Sequence, residues 1–350
     1  MADTGTDPRP EGTRHAAQKS AAWDTQVCPL APLLTAGVVA RLSCMKNEGF
    51  LYVAAAVRCV AWLVTPGATH AARDRGFNLN INGNAESCAD LKVRSKGETA
   101  QVNESFTLSK GEAPILELNA ADRGQIRVRG WDRADYSVET CKIAAADTRG
   151  AAEEAVRGIR VGHTAGRISY NGPAGDSAEW IAVFLIHAPR DASLDLEARN
   201  GPIDVRGVNG SIRLRATNGP IAIADCGGNV EAHTTNGPIA FSGERGEVHL
   251  TAQNGPIALH FASETWNGSQ LEARTINGPM AVSLPENFRS GMRLETSGHV
   301  PMSCSAPQCR NAWRDDGRTL QMNGTNGTIR LSTENGPVAV HTEGPGKRII

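Results

Sequence analysis

The chain has 350 residues, with 36 Lys and Arg against 37 Asp and Glu, 37 glycines and only 5% aromatic residues. The even charge leaves no basic excess to hold nucleic acid or acidic lipid, and so few aromatics exclude a core built on large rings. A thin core of Ile, Val, Leu and Ala repeated many times fits this composition and points to a repetitive β architecture.

Residues 1–44 are rich in Ala, Arg, Thr and Pro and carry no hydrophobic period. They read as a mis-called start upstream of Met45, or as a disordered extension. Residues 45–72 read as a signal peptide. Met45-Lys46 leads into an apolar run from Phe50 to Val64, broken by Arg58, and Ala68-Thr69-His70-Ala71-Ala72 forms a small-residue exit. Cleavage is expected after Ala71 or Ala72, with an uncleaved anchor as the alternative. The run is too short and too interrupted for a stable membrane span. The mature protein is therefore expected in the periplasm, in the cell envelope or secreted.

Residues 73–160 read as an N-terminal β-rich cap, with a separately folding domain as the alternative. Alternation over Phe77–Ile81, Ile115–Leu118 and Ile126–Arg129 predicts strands. Asp147 to Gly158 predicts one short helix, and the apolar run Trp180 to His187 predicts a strand buried on both faces.

Residues 161–350 carry an internal repeat. Asn-Gly-Pro recurs in one context, before an apolar strand, at Asn200, Asn218, Asn236, Asn254, Asn277 and Asn335, and the first four of these copies are 18 residues apart. A half-period of nine divides the chain into a turn plus a short strand, with apolar fourth and sixth positions such as Ile203/Val205, Ile221/Ile223 and Ile212/Leu214. The 23-residue step from Asn254 to Asn277 places a five-residue insertion around Ser263 to Gly268. An antiparallel meander and a solenoid could both turn this often. Pro stands where a two-residue Asn-Gly hairpin needs an N–H donor, which disfavours the meander. The fold class predicted is an all-β solenoid, parallel β-helix-like, with about 18 residues and two short strands per coil. Its Asn corners should stack as amide ladders, and its corner glycines should supply backbone freedom.

After the expected cleavage five cysteines remain. Cys304 and Cys309 are candidates for a local disulfide, Cys88 and Cys141 for a second, and Cys226 is left over. The spacing argues against a metal site.

The repeated Asn-Gly-Pro-Ile units between 200 and 340 resemble a known family. So do Gly130-Trp131-Asp132 followed by Ser137-Val138-Glu139, and Leu194-Asp195-Leu196-Glu197-Ala198-Arg199 before Asn200. The family is the bacterial putative-adhesin group of exported domains of unknown function, and the likeness spans roughly residues 77–345. The resemblance implies a β-solenoid of envelope or extracellular origin. It brings no catalytic residues with it.

A β-helix lyase or hydrolase needs carboxylates converging on one face. The fifth position of the Asn-Gly-Pro strands reads Asp204, Ala222, Ala240, Ala258, Ala281 and Ala339, with one acid. The opposing row, Arg213, Glu231, His249 and Arg330, is mixed in sign. His233, His249 and His260 fall in different rows, so no metal and no cofactor is expected. The row Ala222, Ala240, Ala258 and Ala281 makes a flat stripe. It is expected either to be covered by the N-terminal region or to serve a partner or self-association. The function expected is an exported, non-catalytic scaffold, a putative adhesin or envelope binding protein. Its ligand would be an unidentified cell-surface, glycan or protein partner. A carbohydrate-active β-helix enzyme and a structural surface spacer are the alternatives.

Overall fold

The structure, a computed structural model, describes residues 78–80, 86–120, 123–175, 178–297, 302–315, 318–324 and 328–342. The chain divides into two compact units between Ala68 and Thr69, and every described residue lies in the second. The extension 1–44 and the signal peptide at 45–72 fall outside the described residues. No described helix is long and apolar enough to cross a membrane.

In chain order, β1 (Asn78–Asn80) pairs antiparallel with β2 (Lys92–Arg94), and a 3-10 turn, Cys88–Asp90, stands between them. Then come β3 (Glu98–Ser109), β4 (Ile115–Ala120), β5 (Gly124–Trp131) and β6 (Asp135–Ala146). Helix α1 (Arg149–Gly158) follows, then β7 (Arg160–Thr164), β8 (Arg167–Asn171) and β9 (Ala178–Pro189). Next are the short regular strands β10 (Ser193–Ala198), β11 (Ile203–Arg206), β12 (Ser211–Ala216), β13 (Ile221–Ala224) and β14 (Asn229–Thr234). These continue as β15 (Ile239–Gly243), β16 (Glu247–Ala252), β17 (Ile257–Phe261), β18 (Gln270–Thr275) and β19 (Met280–Leu284). The end comprises β20 (Met292–Thr296), β21 (Met302–Cys304), a 3-10 turn (Pro307–Asn311), β22 (Trp313–Asp315), β23 (Thr319–Met322), β24 (Ile329–Thr333) and β25 (Val338–Thr342).

The fold is all-β apart from this single described α-helix. From β10 to β19 the even strands join a twelve-stranded sheet and the odd strands an eleven-stranded one. Neighbours there are parallel, which excludes a hairpin meander for these residues. Ile203 pairs with Ile221, Ile221 with Ile239 and Ile239 with Ile257, a step of 18 residues each time. The apolar fourth and sixth positions point inward from both sheets and meet in one continuous core. A register slip of one residue would turn each such row to solvent, so the alternation itself fixes the pairing.

Both ends of the stack depart from chain order in the same way. In the larger sheet β24 lies between β18 and β20, and in the smaller β25 lies between β19 and β21. The two strands of the last Asn-Gly-Pro unit thus insert between strands that precede them in the chain. At the other end the β4/β5 pair is flanked by β8/β9 on one side and β10/β11 on the other. Parallel stacking therefore begins at Ile115, well before the visible repeat.

The N-terminal end is closed by long antiparallel strands. β9 is buried on both faces: Phe184 and Ile186 enter the main core, while Val183 and Leu185 pack with Ile143, Leu91 and Cys88. Helix α1 buries Ala152, Ala155 and Val156 against Ala144, Ala146 and Ala178. It starts two residues later than expected, because Thr148 takes the N-cap and its side chain accepts from the Ala151 N–H. The insertion between β17 and β18 carries Trp266, which lies 6.2 Å from the Phe241 ring and 6.0 Å from that of Phe261. It fills the core where the spacing lengthens.

The six repeat asparagines form one unbroken amide ladder. Asn218 donates to Asn200 at 2.8 Å, Asn236 to Asn218 at 2.9 Å, Asn254 to Asn236 at 3.0 Å, and Asn277 to Asn254 and Asn335 to Asn277 at 2.9 Å. Pro costs no pairing at this corner: its carbonyl still accepts the N–H of the residue that follows Pro one coil earlier, as from Ile221 to Pro238 at 3.0 Å. Asn236→Ala removes one donated and one accepted bond from the middle of the ladder, for an expected loss of about 1–2 kcal/mol. Asn236→Asp keeps only the acceptor and should fall between. Urea midpoints measure both, and equal midpoints for all three proteins would show that the ladder adds no stability.

The corner glycines are needed for another reason than the expected one. None of Gly201, Gly219, Gly237, Gly255, Gly278 and Gly336 has a positive φ. Instead, a Cβ on any of them would overlap a glycine carbonyl of the neighbouring coil, as Gly237 would with Gly219. Close backbone approach, not conformational freedom, selects the residue.

Cys88 is disulfide-bonded to Cys141, tying the first 3-10 turn to β6, and Cys304 to Cys309, tying β21 to the second. Cys226 is free and buried. Burial pushes its thiol up from 9.0 to about 11. Burial thus favours the neutral thiol, and the stability this gives is complete below pH 9 and lost as pH rises toward 11. At pH 8 Cys226 should be alkylated only after denaturation, as mass spectrometry would show; rapid labelling of the native protein would contradict its burial.

Candidate binding surface

Outward side chains of the twelve-stranded sheet form rows that cross successive strands. One row runs Asp195, Arg213, Glu231, His249, Glu272, Arg330 and Arg293. Arg213, Glu231, His249 and Arg330 are the mixed-sign row read from the sequence, and the charges largely neutralise one another. Arg213 lies 3.1 Å from Glu231 and 3.8 Å from Asp195, Arg215 lies 2.7 Å from Asp195, and His249 lies 3.7 Å from Glu272. Such exposed pairs add little to stability, because solvent screens them. They keep the face soluble and discourage stray pairing.

Two grooves interrupt this face. The larger, of about 600 Å³, is lined by Glu272, Arg293, Glu295, Gln321, Arg330 and Ser332. Arg293 holds Glu295 at 2.5 Å, whereas Arg330 has no ion-pair partner among the described residues. The smaller, of about 380 Å³, includes Glu117, Arg167, Tyr170, Asp195 and Arg215. Its cations are engaged, Arg167 with Glu117 and Arg215 with Asp195, both at 2.7 Å.

The larger groove could not be found by following the repeat. Arg293, Glu295 and Gln321 belong to β20 and β23, outside the repeat, and they reach Arg330 only because β24 inserts beside β20. A non-repeating Arg-x-Glu beside a repeat that resumes later was the sole trace in the sequence. The groove also brings two carboxylates, Glu272 and Glu295, into one lining.

On the eleven-stranded sheet the alanine row stands as read. Ala222, Ala240, Ala258, Ala281 and Ala339 occupy successive strands in register. Ala240 and Ala258 are exposed, and Ala222, Ala281 and Ala339 are half-buried. The described N-terminal strands extend this sheet at its edge and do not lie over the row. Cover by that region, the first of the two accounts of the stripe, is therefore absent among the described residues. At its N-terminal end the row continues into Asp204 and Arg127.

The histidines remain apart. His233 and His249 occupy different rows of the larger sheet, and His260 belongs to the smaller. His341 faces Ser283, with 2.7 Å between Nε2 and the hydroxyl. No group of three His, Cys, Asp or Glu side chains with metal-binding geometry occurs among the described residues.

No family model matches the chain, and no curated protein matches it. Solved structures that are similar include a putative cell adhesion protein from Clostridium sporogenes. It is 9% identical with a TM-score of 0.28, over 70% of this chain and 100% of that one. A putative adhesin from Parabacteroides merdae is 6% identical with a TM-score of 0.36, over 69% of this chain and 96% of that one.

Proposed function

We propose that this chain is an exported, non-catalytic β-solenoid that serves as an adhesin-like binding scaffold of the bacterial envelope. Eighteen residues make one coil, and each coil gives one strand to each sheet. The parallel 18-residue register, maintained in both sheets at once, carries the reading. The repeat domain is proposed to occupy 161–350, with an outlying coil at β4 and β5 inside the cap region 73–160. The segment 45–72, read from its sequence as a signal peptide, supports placement in the periplasm, at the surface or in the medium.

A regular stack of this kind commits most side chains to the core, the ladder or paired charges. What it offers a partner is a polar face, and the groove around Arg330 is a recess in it. The ligand class proposed there is a glycan, bound through Arg330, Gln321 and Ser332. Glu272 and Glu295 in the same groove favour one second reading, a carbohydrate-active enzyme.

Glycan-array binding by the mature protein, with Arg330→Ala as the comparison, tests the site. Retention of a glycan by wild type and its loss in the variant, without product release, is the expected result. Hydrolysis or elimination products that vanish in Glu295→Gln would replace the scaffold by the enzyme. Absence of any glycan or matrix-protein ligand would leave a surface spacer. Cell fractionation of the native organism checks export, and recovery in the cytoplasm would overturn it.

A further inference from the structure

A cluster of arginines lies on the outward face of the smaller sheet, on the opposite side of the molecule's core from the grooves. The pairing of β5 with β11 sets Arg127 beside Asp204 and Arg129 beside Arg206. Asp204 is shared, at 3.4 Å from Arg127 Nε and 2.6 Å from Arg129 Nη2. All four side chains are half-buried, with 12% of the Arg127 side chain exposed, 21% of Arg129 and 23% of Asp204. Arg206 makes no ion pair among the described residues, and its Nε is shut off from solvent with no hydrogen-bond partner. Among the described residues Asp204 is ion-paired to both Arg127 and Arg129, and Arg206 beside them has no ion pair, in a partly desolvated patch.

Such a patch works against folding. A cation deprived of water and of an acceptor raises the energy of the native state. Desolvation is the chief cause that lowers the pKa of Arg127, Asp204 opposes it, and Arg129 and Arg206 add to it. On the larger sheet most charges of successive strands are paired, as Arg213 is with Glu231 and Arg215 with Asp195. An arriving oxyanion would supply what is missing, since the guanidinium fork matches the two oxygens of a carboxylate, sulfate or phosphate.

We propose that Arg129 and Arg206 form an oxyanion site that holds the acidic group of a saccharide lying along the neighbouring alanine row. A compact guanidinium pair suits one or two isolated acidic groups. It does not suit a polyphosphate backbone, which needs a track of cations that this balanced surface lacks. The exposed Ala240 and Ala258 continue from Ala222, which pairs with Asp204, and leave a flat path for the rest of the chain. The site is separate from the groove at Arg330 and does not depend on it.

The test is calorimetric titration of the mature protein with oligogalacturonate, a sulfated oligosaccharide, a neutral oligosaccharide of equal length, inorganic phosphate and duplex DNA, at matched ionic strength. Binding of either acidic saccharide without the neutral one is expected. Arg206→Gln should weaken it by about tenfold or more, and Arg129→Lys should also weaken it, because charge remains but the fork is lost. Asp204→Asn should tighten binding, since it frees two guanidiniums from their internal partner; a purely structural cluster would not respond so. The same titrations in an Arg330→Gln background remove the share of the proposed groove, so that the binding which remains is read at Arg129 and Arg206. Thermal unfolding of each variant checks the fold. Equal affinity for the neutral saccharide, tighter binding of DNA, binding of phosphate alone, or an unaffected Arg206→Gln would each overturn the proposal.

Discussion

Deleting residues 328–350 is expected to unfold the protein rather than shorten it. In a stack built in chain order, loss of the last coil would expose one new end. Here β24 and β25 lie inside both sheets, between β18/β19 and β20/β21. The deletion removes the buried Ile329, Leu331, Val338 and Val340, together with the backbone partners of four strands. At about 1.5–3 kcal/mol for each buried aliphatic side chain, that alone reaches about 6–12 kcal/mol. The whole stability of a domain is only about 5–15 kcal/mol. The truncated chain should therefore lose its cooperative melt in circular dichroism and become rapidly degraded by protease. A melt within a few degrees of wild type would mean that β20 and β21 can close onto β18 and β19 directly, and would remove the importance given to the inserted coil. The milder Leu331→Ala keeps the chain intact and should cost about 2–5 kcal/mol through the cavity it leaves.

The second large effect is expected at a corner. Gly237→Ala places a methyl group into the carbonyl of Gly219, and the obstacle is backbone, not the end of a mobile side chain. The strands cannot separate locally without breaking ladder bonds such as Asn236 to Asn218 at 2.9 Å. Overpacking of this kind costs about 1–3 kcal/mol, or more where nothing can yield. Gly150→Ala is the control: it lies in helix α1 with nothing within 4 Å of an added Cβ. There the same change should stabilise by about 0.5–1 kcal/mol, because alanine loses less entropy in a helix. Chemical denaturation of the two variants should move in opposite directions. Destabilisation of both by like amounts would count against close coil contact as the reason for the corner glycine.

Much of the architecture is legible in the chain. A period of 18 with apolar fourth and sixth positions makes strands of one kind stack on strands of the same kind. Pro after Asn-Gly disfavours the hairpin. Those local features led to the parallel pairing seen for Ile203, Ile221, Ile239 and Ile257. The Asn ladder follows as well, because equal spacing brings equal side chains together. The role of the corner glycines was read amiss, since sequence shows that a small residue recurs but not whether torsion or crowding demands it.

The proposed binding surfaces are less visible, and for one physical reason. Periodicity reports what repeats, whereas both charged sites are made where the repeat is broken. The groove at Arg330 needs β20 and β23 beside a strand that follows them in sequence. The arginine cluster needs β5, which lies outside the recognisable units, to pair with β11 some 75 residues later, as the contact of Arg129 with Asp204 records. Sequence alone determined the period, the inward rows and the asparagine ladder, since each depends only on spacing along the chain. The order of strands within the sheets, the inserted final coil and the company kept by Arg206 and Arg330 were decided by the tertiary structure. Those depend on which sheet edges remain open when the ends of the chain arrive, and no local spacing encodes that.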